Sequence, residues 1–369
     1  MKKLILLTNL LFLFALADAA EVKSDDAVGD SLPLVPKELI QEAGWTNNWE
    51  IDLHLENKQV DRMIVLGSDL FVMTDSNGML CIDRKSGQVR FSRQLSVSQL
   101  PVCNPFHYDD KLWFVVGNEM LVFDLTVGDF VVKKKFPQVG SSAECGLARN
   151  EDFVYISGSG NRLHAIHVDG FWQKFTATAD NDSAIVSILA TDDIVVFATQ
   201  AGNVVAMEPD KPQKRWQYDV TGDIKGPIVL DGEDIYVGSF DSKLYKLSLS
   251  AGKLLWDSPF HSGAPIRDSF TVGKEVIYLH NELDGVYGVH KKSGKAIWQL
   301  PSGQGMICET PEKSFIFVSP GIVKVMNNQT GKELYSVNFS GVQRYAMNTT
   351  DATMYLADTR GRLMSITTE

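Results

Sequence analysis

Residues 225–257 read KGPIVLDGEDIYVGSFDSKLYKLSLSAGKLLWD. Four short runs, "PIVL", "IYVGS", "KLYKLSL" and "KLLWD", are separated by "DGED", "FDS" and "SAG". The runs are rich in β-branched and aromatic residues, as strands are. The separators are Asp, Gly and Ser clusters, which supply positive φ and local side-chain hydrogen bonds for tight turns. The segment is therefore expected to be one antiparallel sheet of four strands.

The same grammar extends in both directions. The closing "AGKLLWD" (251–257) is echoed downstream by "SGKAIWQ" (293–299) and "TGKELYS" (330–336). Upstream lie the weaker copies "SGQVRFS" (86–92), "VGDFVVK" (127–133), "DGFWQKF" (169–175) and "KPQKRWQ" (211–217). Successive starts are 41, 42, 42, 40, 42 and 37 residues apart. A four-stranded unit recurring at this period is the mark of a β-propeller blade. After Gly331 the chain holds three further strands, ending in "DTRGRLMSI", but not a fourth. "AGWTNNWEIDLHLE" (43–56) supplies it, since Ala43 precedes Ser86 by 43 residues and so keeps the rhythm. The expected fold is all-β: an eight-bladed propeller of four-stranded antiparallel blades, its last blade closed by the N-terminal strand. Such closure removes the free sheet edge that an open arc would expose. Within each copy, Gly turns the hairpin into the outer strand and the following aromatic packs between blades. On this reading Trp49, Phe91, Trp216, Trp256, Trp298 and Tyr335 are structural.

The N-terminus has another character. "MKKLILLTNLLFLFALADAA" combines two lysines, an apolar run from Leu4 to Leu16 and small-x-small sites. It reads as a signal peptide over 1–19, followed by a linker over 20–43 and the propeller over 44–369. The apolar run is too short to span a bilayer, which takes about 20 residues. The chain is thus expected to be exported to the periplasm or secreted, without direct membrane insertion after cleavage. Its formal charge of −11 becomes −12 when Lys2, Lys3 and Asp18 leave. An acidic surface repels phosphate backbones, so nucleic acid is excluded as a partner. A monomer is expected.

Four cysteines in an exported chain allow up to two disulfides. Cys103 and Cys145 sit at matching places in adjacent repeats, and Cys308 at a similar one. Two readings stay open: small buried residues on inner strands, or a Cys103–Cys145 bridge.

At Tyr236 to Trp256 the chain resembles the PQQ-like (pyrroloquinoline-quinone-type) propeller repeat, whose pattern is YVGS-D-x-LY-L followed by GK-x-x-W. The plan of the whole chain is similar to that of the BamB family, exported eight-bladed subunits of the outer-membrane protein assembly machinery. The resemblance implies a non-catalytic scaffold that holds protein partners in the cell envelope, with no cofactor. It departs from that family in lacking a lipid-attachment Cys at the end of the apolar run.

Quinoprotein dehydrogenases share the repeat, binding a quinone and Ca²⁺ over the central channel beside a disulfide between adjacent cysteines. Cys81, Cys103, Cys145 and Cys308 include no neighbouring pair. Glu144, Arg267, Glu309 and Arg344 fall on inner strands, where they are expected to line the channel. His164 and His167, three apart on a strand, face opposite ways and cannot share a metal ion. A sugar- or peptide-binding channel mouth is a third reading. Asn181, Asn328, Asn338 and Asn348 open N-x-S/T sequons. For protein contact the candidates are Phe171 and Trp172, which replace the usual Lys, Leu or Ala of the turn, and Phe106 with His107 in "PFHY".

Overall fold

The computed structural model describes residues 33–96, 102–136, 145–267, 270–319 and 321–368. The segment 1–19 read as a signal peptide lies outside the described residues. The compact unit begins at Leu34. It is built of eight four-stranded antiparallel sheets.

Seven blades are formed by consecutive chain: blade 1 at 60–94, blade 2 at 106–135, blade 3 at 147–177, blade 4 at 185–219, blade 5 at 229–261, blade 6 at 271–300 and blade 7 at 303–338. Blade 8 joins the C-terminal strands Arg344–Ala346, Thr353–Ala357 and Arg362–Thr367 to the N-terminal strand Thr46–Asp52. The closing ladder pairs Trp49 with Ser365 and Asp52 with Arg362. The eight-bladed, N-terminally latched ring expected from the repeat count is the observed fold.

The second and third strands of a blade are covered on both faces, so they read as apolar runs. Asp69–Thr74 is buried throughout, and so is Phe153–Gly158. Outer strands have one covered face and alternate, as Val89–Gln94 does. The apolar core is accordingly divided into clusters that each fill the seam between two neighbouring blades. The seam of blades 1 and 2, for example, holds Phe71, Met79 and Cys81 against Leu112, Phe114 and Phe123.

Residues 34–45 run into the closing strand. Pro36 precedes the short helix Lys37–Glu42, and Gly44, at φ 74°, ends it. Leu34, Val35, Ile40 and Trp45 are buried with Phe315, Phe339 and Met364 in the seam of blades 7 and 8. Trp45 meets Phe315 and Phe339 edge-on at 5.7 Å and donates its indole N–H to Tyr335 Oη at 3.3 Å. Strap and latch strand together cover the place where the ring closes.

Candidate functional site

The repeat's Gly and its aromatic explain one another across the seams. In every blade except the fifth, the ladder between third and outer strands shifts register just before the aromatic position. A bulge of this kind re-aims a side chain. Here it turns the aromatic toward the next blade, where the glycine of that blade's turn lies under it. A Cβ on Gly252 would stand 2.4 Å from Trp216, on Gly294 2.5 Å from Trp256, and on Gly87 2.7 Å from Trp49. Each of these indoles also donates to a turn carbonyl three residues before that glycine: Trp216 to Leu249 O at 2.9 Å, Trp256 to Lys291 O at 3.1 Å and Trp49 to Arg84 O at 2.9 Å. Trp298 is as buried as Trp256, but its Nε1 has no acceptor among the described residues. Phe91 packs on Phe123 at 4.9 Å and faces Gly128; Tyr335 leans on Trp45 at 6.3 Å. In blade 5 the outer strand is reduced to Phe260–His261, and Trp256 reaches its seam from the preceding bend.

Two seams depart from the pattern, both beside blade 3. Blade 2 carries Val132 where others carry an aromatic, and Phe171 from the turn of blade 3 joins the cluster around it. The Phe171 ring lies edge-on to Phe136 at 6.4 Å. Between blades 3 and 4 the aromatic is Phe175, and Pro212 replaces the turn glycine. A groove of about 280 Å³ opens there, lined by Ala177, Ala179, Val205, Met207 and Pro212 and spanned by the Lys214–Asp180 ion pair at 2.8 Å.

The four contact candidates divide in two. Phe171 and Phe106 are half-buried against the same cluster of blades 2 and 3. His107 is exposed on the innermost strand of blade 2. Trp172 is 49% exposed, with its ring stacked on His167 at 5.0 Å and 11°. Phe171 adopts φ 54°, which lets adjacent residues point one inward and one outward.

The cysteines are thiols in the structure, with no disulfide. Cys103 lies 3.5 Å from where a Cβ on Gly146 would be. Cys145 turns its Sγ to Ser157 Oγ at 2.8 Å and packs in the blade 3–4 cluster, while remaining near enough to Cys103 for the two thiols to interact. Burial pushes the Cys81 thiol up to about 12 and that of Cys145 to about 11.

Glu309 is not channel lining. It is 3% exposed, accepting from Tyr278 Oη at 2.7 Å and Lys274 N at 2.6 Å, and so ties blade 7 to blade 6. The space it fills is left by Gly273, whose Cβ would stand 2.4 Å from its carboxylate. Arg344 Nε likewise donates to Val60 O of blade 1 at 3.2 Å. Glu144 lies outside the described residues, and Arg267 stands exposed beside Phe240. His164 is buried, its Nδ1 2.9 Å from Gln173 Oε1. No three His, Cys, Asp or Glu side chains converge among the described residues. Of the sequons, Asn328 and Asn348 are buried, while Asn181 and Asn338 are exposed.

A surface patch that no sequence motif announced lies at blades 5 and 6. In a meander blade the entering connection and the turn between the second and third strands share one face of the disc. On that face Leu283 is 78% exposed, the most exposed large apolar side chain described. Its turn is tied to the 262–267 connection by Asn281 Nδ2 to Ser262 O at 2.7 Å. That connection reaches the neighbouring turn through Ile266 N to Ser239 O at 3.1 Å. There Phe240 is flanked by Arg267 at 5.1 Å and Lys225 at 5.8 Å.

A family model described as "Outer membrane protein assembly factor BamB" matches residues 42–300. The chain belongs to the BamB family. Among curated relatives, the BamB protein of Xanthomonas campestris is 30% identical over 118 residues, which are 32% of this chain and 26% of that protein. BamB of Pseudomonas aeruginosa is 25% identical over 121 residues, 30% of this chain and 31% of that one. An uncharacterized protein of Rickettsia conorii is 20% identical over 252 residues, 63% of this chain and 59% of its own length. The chain thus spans less than two thirds of each of these relatives. The crystal structure of BamB from Moraxella catarrhalis superposes with a TM-score of 0.63 at 12% identity, covering 88% of this chain and 99% of that one. The computationally designed Ika8 protein gives 0.65 at 13% identity, covering 85% and 98%. These likenesses show the fold. BamB-family membership makes this chain a propeller of the PQQ-like repeat type.

Proposed function

We propose that this BamB-family propeller is an exported, non-catalytic scaffold that holds a protein partner in outer-membrane protein assembly. The entering-connection face at blades 5 and 6 is the docking site. The observation that carries the site is Leu283, held exposed on a turn that the 262–267 connection links to the turn of Phe240 and its two cationic neighbours. Exposed apolar side chains grouped with aromatic and arginine residues are what protein interfaces concentrate. The seam locks support the role in another way: turns anchored on a closed ring present a preorganised surface, which lowers the ordering cost of association.

A photo-crosslinking amino acid at position 283 tests this in cells. Capture of an envelope protein from 283, and not from Leu334 on the outer strand of blade 7, is the expected result. Equal capture from both positions, or none from 283, would refute the assignment. Addition of pyrroloquinoline quinone and Ca²⁺ is expected to give no alcohol-dependent dye reduction; turnover lost on chelation would overturn the non-catalytic reading.

A further inference from the structure

The rim of blades 2 and 3 carries a second surface, distinct from the face proposed for protein docking. The outer strand of blade 2, Asp129–Lys135, reads DFVVKKK. It is the last strand of its sheet, so one edge of its backbone is free. Lys133, Lys134 and Lys135 are all exposed, and none has a carboxylate partner among the described residues. Asp129, the one acid of this strand, is held 3.9 Å from Arg93 of blade 1. In a chain of net charge −11, three consecutive unpaired lysines are a marked local reversal of sign.

Exposed apolar side chains share this rim. Val127 is 69% and Val131 48% exposed. Trp172, 49% exposed and stacked on His167, follows Phe171, whose ring packs on Phe136 just past Lys135. Lys174 stands 5.8 Å from the Trp172 ring, and Lys133 4.7 Å from that of Phe130. Lysines on an edge strand repel other sheet edges. Bare valines on this strand and its turn do the opposite, so edge protection alone does not account for the group. Lysine clusters interspersed with Trp and aliphatic side chains match the boundary of an anionic bilayer. There the ammonium groups meet lipid phosphates, the indole sits at headgroup level and the apolar tips enter the acyl boundary.

We propose that Val127, Val131, Trp172 and the lysines 133, 134, 135 and 174 form a peripheral contact for an anionic lipid surface. It would hold the disc rim-on to the membrane and leave the face of Leu283 open to a protein.

The test is co-sedimentation of the full chain with vesicles of phosphatidylglycerol and phosphatidylethanolamine, against vesicles of phosphatidylcholine alone. Binding to the anionic vesicles only, weakening as salt is raised, is expected. The triple variant K133E/K134E/K135E should lose affinity roughly a hundredfold or more, since each lysine near an anionic surface contributes about fivefold. Trp172→Ala should lose about threefold or more, by removal of an interfacial aromatic. The variant K253E/K295E/K332E changes net charge equally, at exposed positions on blades 5, 6 and 7, and should bind nearly as wild type. Unchanged thermal unfolding identifies variants that remain folded. Absence of wild-type binding, equal losses from both triple variants, or binding of polyglutamate without binding of vesicles would each overturn the proposal.

Discussion

Replacing Gly87 by alanine separates the seam lock from ordinary turn strain. Gly87 has φ 74°, and a Cβ there would lie 2.7 Å from Trp49 Cδ2 and 2.8 Å from Cγ. Gly232 has φ 60° with nothing within 4 Å of its Cβ position, so it carries the same backbone penalty and no collision. An L-residue in the left-handed region costs about 1–2 kcal/mol, which is the whole cost expected for Gly232→Ala. Gly87→Ala must in addition displace an indole from a packed seam, at about 1–3 kcal/mol, and lose the Trp49–Arg84 hydrogen bond, at about 1 kcal/mol. The expected destabilisation is about 3–6 kcal/mol on these terms. Guanidinium unfolding followed by circular dichroism measures both variants. In a Trp49→Ala background, Gly87→Ala should cost no more than Gly232→Ala, giving a coupling of about 2 kcal/mol or more in a double-mutant cycle. If the two glycine variants agree within about 0.5 kcal/mol, or the cycle shows no coupling, the reciprocal packing of Gly and aromatic does not hold the ring closed.

Trp256→Phe removes a buried indole hydrogen bond and should cost about 1 kcal/mol more than Trp298→Phe, whose indole N–H has no acceptor to lose; equal losses in thermal unfolding would contradict this. Burial alone would raise the Asp358 carboxyl, but hydrogen bonds from Arg362 and from the backbone of Arg360 and Arg362 outweigh it and hold its pKa low. A carboxylate depressed in the folded state stabilises above its unfolded pKa and loses that stabilisation as pH falls toward the folded value. Asp358→Asn should therefore flatten the loss of stability below about pH 4, and an unchanged acid limb would refute the assignment. The Cys81 and Cys145 thiols, pushed up to about 12 and about 11 by burial, should resist a thiol reagent at neutral pH until the chain is unfolded. Mass spectrometry after mild oxidation should find no Cys103–Cys145 bridge, and its detection would show that the Cys145 thiol does not stay on Ser157.

Much of the fold was legible because its unit recurs. Period, turn residues and aromatic position repeat often enough that weak copies such as 127–133 and 211–217 can be read beside strong ones. The strap at 34–45 was not legible, because a helix of six residues has too little periodicity to register and its apolar residues belong to no repeat. The paired aromatics of "DGFWQKF" stood out against the other copies, but their division of labour did not. Neighbouring aromatics look alike in sequence, and only a positive φ at Phe171 sends one ring into the seam and leaves Trp172 outside. Cys103 and Cys145 match in register, and only the structure shows that the Cys145 thiol meets Ser157 instead of forming a bridge.

By itself the chain determined the number of blades, their strand order and the latch of head to tail, since each follows from local turn chemistry and from counting units. The tertiary structure alone decided which side chains face a neighbour, the channel or water. Glu309 shows why: on an inner strand it could as well have met solvent, and it is buried because Gly273, 36 positions earlier, leaves the space and Tyr278 supplies the donor. The same holds for the surfaces. Turns 239–240 and 281–284 are linked through the 262–267 connection, Phe136 and Phe171 come from different blades, and no local signal marks residues brought together only by the folded ring.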